Sequence, residues 1–62
     1  MSFKVGDFVT HLTNPRIGIG IIISLPEEKI CGQNVIEVLW KDIEETMMHW
    51  ASNIRIHHIT QE

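Results

Sequence analysis

The stretch Gly18 to Leu25, GIGIIISL, constrains this chain more than any other. Gly18 and Gly20 stand two apart, so on an extended strand their missing side chains fall on one face. That leaves room for a second backbone or a sharp bend. Ile21, Ile22 and Ile23 then join β-branched strand preference to apolar area that gains by burial. We read the segment as the bent second strand of a very small β-barrel, paired with the upstream stretch Val5 to His11, VGDFVTH. Its inward face has two readings. Simple alternation turns Ile19, Ile21, Ile23 and Leu25 inward and leaves Gly18, Gly20, Ile22 and Ser24 outward. A bulge near Ile23 and Ser24 lets Ile22 and Leu25 share the core instead. In both, at least one isoleucine is left over.

Other strands follow along the chain. Phe3 and Val5 lead through the turn-prone pair Gly6-Asp7 into a first strand, Asp7 to Leu12, with Phe8 on one face and Val9 and His11 on the other. Asn14-Pro15 breaks the ladder, so Thr13 to Ile17 is a loop. Pro26-Glu27-Glu28 ends the second strand and opens a polar loop through Asn34. Val35 to Trp40 alternates cleanly, and Glu37 marks the wetter side, which turns Ile36, Val38 and Trp40 inward. Glu45 to Trp50 is a fourth strand whose inner set is either Met48 and Trp50 or Met47 and His49. Ala51-Ser52-Asn53 fits a single tight helical turn, Ile54 to Ile56 a last strand, and residues 57–62 a loose tail. The fold class expected is therefore all-β, a five-stranded SH3-like barrel of the smallest kind, with one short 3-10 turn before the last strand.

Size limits what such a barrel can do. The 62 residues form one domain, and a chain this short is marginally stable without disulfides, metal or self-association. Its single cysteine, Cys31, cannot make an internal disulfide, which points to a reducing compartment and, with no signal-peptide core or bilayer-length apolar run, to the cytoplasm. The net charge of −3, from five Lys and Arg against eight Asp and Glu, argues against nucleic acid as the partner.

Chemistry is scarce. Gly18 and Gly20 have no following helix to complete a phosphate cradle, so strand bending is their role. The four His and Cys31 invite a metal, but adjacent His57 and His58 point apart on an extended tail, and His11, Cys31 and His49 lie on separate elements. Asp7, His11, Cys31 and His49 draw a triad only on paper, because a barrel this small fills its interior with side chains. No catalytic, cofactor or metal site is expected. Two Phe and two Trp with no Tyr do not make an aromatic cage for methylated side chains. What remains is surface: Ile19, Ile21 and Ile23, with Leu39 and Met47, form an apolar stripe suited to contact with a protein or a second copy. The alternative is that the bent strand buries both faces, against the terminal segment and the Lys29 to Asn34 loop.

Gly6-Asp7-x-Val9-x-His11 and Gly18-x-Gly20-x-Ile22-x-x-Leu25, followed by Val38-x-Trp40 and Asn53-Ile54-Arg55, resemble a known pattern. It is that of the Tudor-like SH3-fold barrels of CarD-type transcription factors, transcription-repair coupling factor and the C-terminus of UvrD-type helicases. In length and layout the chain is also similar to small uncharacterised proteins of phages and marine bacteria. The resemblance implies a structural role for Gly6, Asp7, Gly18, Gly20 and Trp40, and a polar contact for His11 at the barrel rim. As partner it implies the RNA polymerase β subunit, bound by edge-strand pairing. The expected function is thus a non-enzymatic interaction module, homo-oligomeric, acting through an edge strand and its outer apolar face. Two alternatives are a nucleic-acid binder of the KOW type and a phage assembly component.

Overall fold

A computed structural model describes residues 3–58, and among these the chain is all-β. The strands are β1 (Phe8–His11), β2 (Gly20–Ser24), β3 (Val35–Trp40), β4 (Glu45–Trp50) and β5 (Ile54–Ile56). All pairings are antiparallel, in one sheet of order β4-β3-β2-β1-β5. A 3-10 turn at Ala51–Asn53 leads into β5, where the sequence places it. A second one, Pro15–Ile17, lies within the expected loop, with Pro15 at the position where a missing N–H costs nothing. Residues 59–62 of the expected tail lie outside the described residues. His57 is tied in, donating its N–H to Phe8 O at 2.8 Å.

β4 and β5 are the opposite edges of the sheet, yet only Ala51–Asn53 separate them. In a flat sheet those edges would stand about 19 Å apart, four strand spacings. A 3-10 turn advances about 2 Å per residue, so the step from Trp50 to Ile54 spans only about 8 Å. The sheet must therefore roll. Backbone bonds from Ala51 N–H to Asn34 O (3.0 Å) and from Leu12 N–H to Asn53 O (2.7 Å) pin the turn to β3 on one side and β1 on the other. The ladder does not run on from β4 to β5 among the described residues, so the sheet is rolled without being hydrogen-bonded into a closed barrel.

The concave face holds the core. Val9, Ile22, Val38, Trp40 and Ile54 are fully buried and Ile36 nearly so, one or more from every strand except β4. The inward set of β3 is the one its alternation predicts. Val35 departs from it: though on the opposite face, it is buried at the mouth of the roll between Leu25 and Ala51 on one side and Ile30 and Trp50 on the other.

β2 corrects the simple alternation. The register with β3 slips between Ile22 and Ser24, so Ile23 is the extra residue of a bulge and stands 39% exposed. Ile22 is buried, Leu25 packs on the core, and Ile19 and Ile21 are only half-buried. The reason lies in Gly20, which faces Trp40 across the ladder. A Cβ on Gly20 would stand 2.7 Å from Trp40 Cε3 and would also strike Val38 Cγ1, so the glycine is the space that the indole occupies. With Gly20 thus facing the core, Ile22 two residues on must face it too. Gly18 has a different task. It lies before the strand at φ 88°, ψ −152°, a conformation essentially reserved for glycine.

Candidate interaction surface

Residues directly opposite in an antiparallel ladder share a face. The registers Phe8–Ile21, Ile21–Leu39 and Leu39–Thr46 therefore lay one row across the convex wall from β1 to β4. Phe8, Ile21 and Leu39 are half-buried, and Lys41 Nζ sits 5.9 Å from the centre of the Phe8 ring, within cation–π range. Of the four residues expected to form the outer stripe, Ile21 and Leu39 are ladder partners in this row. Ile23 projects from the bulge, and Ile19 precedes β2, its carbonyl accepting the Lys41 N–H at 3.2 Å.

The larger apolar exposure lies on β4, and the sequence reading gave it only Met47. Met47, Met48 and Trp50 are all exposed, Met48 by 51%, and Ile30 is exposed beside them. Ile30, Val35, Met48, His49, Trp50 and Asn53 line an open groove of about 270 Å³ next to this strand. The groove exists because Ile30 and Gln33 exchange backbone bonds (3.0 and 2.9 Å) around Cys31 and Gly32, both at positive φ, and the resulting tight turn presents Ile30. Cys31 is exposed at the tip of that turn.

The free groups of the β4 edge follow from the ladder. Bonded and non-bonded pairs alternate in an antiparallel pair. The Ala51 to Asn34 bond continues the β3–β4 register, so Ile36–His49, Val38–Met47 and Trp40–Glu45 are the bonded pairs. The N–H and C=O of Thr46 and Met48 and the N–H of Trp50 consequently point away from β3, along the open edge, while the Trp50 C=O, at the N-cap of the Ala51–Asn53 turn, accepts the first bond of that turn. Among the described residues nothing pairs with that edge.

Beneath the wall, the roll brings together two histidines that the sequence keeps apart. His11 of β1 and His49 of β4 have ring centroids 5.0 Å apart, although two strands lie between theirs in the sheet. Trp40 lies against both, edge-on to His49 at 5.4 Å. Trp40 Nε1 donates to His49 Nε2 at 2.9 Å. An indole N–H can only donate, so His49 Nε2 carries no proton. His11 Nδ1 accepts the Thr13 N–H at 3.2 Å. Burial, and after it the neighbouring His11, hold the His49 imidazole below its ordinary value. Among the described residues no three His, Cys, Asp or Glu side chains are placed to share a metal ion.

Asp7, named as structural, closes the turn before β1. Its Oδ2 accepts the Lys4 N–H at 2.9 Å and its carbonyl the Ile22 N–H at 3.0 Å, while Gly6 N–H donates to Ile22 O at 2.8 Å. These bonds anchor β2 at its bulge. Among the described residues no helix is long and apolar enough to cross a membrane. Comparison with protein-family models, with curated proteins and with solved structures finds no match for this chain.

Proposed function

We propose that this chain is a non-enzymatic protein-interaction module, a small SH3-like barrel that acts through an open strand edge and its outer apolar wall. The rolled sheet and the short turn leading into the last strand support the barrel. The single observation that carries the function is β4: a six-residue edge strand with outward backbone groups at Thr46, Met48 and Trp50 and exposed apolar side chains at Met47, Met48 and Trp50. Exposed apolar groups beside unpaired strand edges are the features by which sheets add a strand from a partner. The concave side is filled by Trp40, Ile22, Ile36 and Ile54, which leaves binding to the outside.

The likeness of Gly6 to Leu25 to the Tudor-like barrels makes the RNA polymerase β subunit the first foreign partner to test. Immobilised chain is incubated with purified bacterial RNA polymerase at low and at moderate salt. Retention at both, lost in the surface variant Ile23→Glu, is the expected result. No retention at either salt removes polymerase as the partner.

A further inference from the structure

We propose that the open edge of β4 is closed by β4 of a second copy of this chain, antiparallel about a two-fold axis at Met48. This rests on the reading of the chain as an interaction module and names one of its partners.

Three observations lead there. The first is the contrast between the two edges. β5 is three residues long and carries Arg55, whereas β4 runs for six residues in unbroken register with β3. Lysine, proline and bulges are the usual defences of an exposed edge, and β4 has none of them. The second is register. A two-fold at Met48 sets Met48 opposite its own copy and Thr46 opposite the second copy's Trp50. All three residues with outward backbone groups then fall in bonded pairs, so every free N–H and C=O of the strand finds a partner, and the Trp50 C=O takes a second bond on its remaining lone pair beside the one from its own turn. The third is charge and shape. On the convex face Met48 meets Met48 and Thr46 meets Trp50, joining thioether to thioether and covering the indole. On the other face Met47 meets His49, and Glu45, the sole acidic residue of β4, meets Ala51. No like charges are opposed. The strand is self-complementary, and pairing it would extend the Phe8–Ile21–Leu39–Thr46 row into a wall running through both copies.

The test is sedimentation of the full chain from micromolar to millimolar concentration, alongside Met48→Lys and Met48→Ile. The expected result is a dimer for the wild type, a dimer for Met48→Ile, and loss of the dimer for Met48→Lys, where two ammonium groups would face each other on the axis. Amide exchange on the concentrated wild type supplies an independent readout. The Thr46, Met48 and Trp50 amides should be protected at high concentration and lose that protection on dilution, whereas Met47 and His49 stay protected at both. A wild type that remains monomeric throughout overturns the proposal. So does a dimer indifferent to Met48→Lys, or one whose concentration-dependent protection lies outside β4. Retention of polymerase by a strictly monomeric chain would leave the interaction module standing without the dimer; failure of both measurements would remove both.

Discussion

Trp40 donates its indole N–H to His49 Nε2 at 2.9 Å, a bond that crosses from the largest fully buried side chain of β3 to the rim of the neighbouring edge strand. It exists only while that nitrogen is unprotonated. In the unfolded chain the imidazole titrates near 6.5; in the folded one, burial and His11 hold it lower. A group whose folded pKa is depressed binds fewer protons when folded. For a histidine this makes the stabilisation complete above about pH 6.5, with loss as pH falls from there through the folded value. Urea denaturation should therefore give a constant midpoint at mildly alkaline pH and a falling one on mild acidification. His49→Gln, which keeps an acceptor and does not titrate, should flatten that fall.

Gly20→Ala should be destabilising although alanine suits a strand at least as well as glycine. The new methyl meets both Trp40 and Val38, and neither can move far in a filled core. Overpacking of this sort costs about 1–3 kcal/mol, read from the shift in urea midpoint at unchanged slope.

Trp40→Ala should abolish the fold. Emptying a fully buried indole site costs about 3–5 kcal/mol, comparable to the whole stability of so short a chain. Loss of amide dispersion in a proton–nitrogen correlation spectrum is the readout. A well-dispersed spectrum would show that the core does not depend on this ring.

Glu44→Gly should stabilise. Glu44 closes the turn between β3 and β4 at φ 54°, its N–H donating to Trp40 O at 2.8 Å. A non-glycine residue in that region carries about 1–2 kcal/mol of strain, and glycine's extra unfolded-state freedom returns only part of the gain. The expected net effect is a rise of roughly 0.5–1 kcal/mol in thermal or urea unfolding.

Much of this fold is legible in the sequence because strand signals are local. Val35 to Trp40 declares its inward face by alternation, and the bounds of β4, the Ala51–Asn53 turn and β5 follow from turn residues on either side. β2 is legible only to the point of two alternatives, since three consecutive isoleucines carry no period. What decides between them is the indole of Trp40 lying over Gly20, a contact between residues twenty apart. The same limit hides the meeting of His11 with His49, which depends on how far the sheet rolls. It also hides the apolar edge: Met47, Met48, His49 and Trp50 form an unbroken apolar and aromatic run, and only the neighbouring strand shows which of their backbone groups stay free.

The position of β1 between β2 and β5 bears on how the chain is made. Of these five strands, the one that leaves the ribosome first needs, as one of its two neighbours, the one that leaves last. Val9 cannot be sealed from water until Ile54 to Ile56 have emerged. A nascent or prematurely terminated chain that lacks β5 therefore carries an additional raw edge along β1, and it is most vulnerable to clumping until β5 has been made.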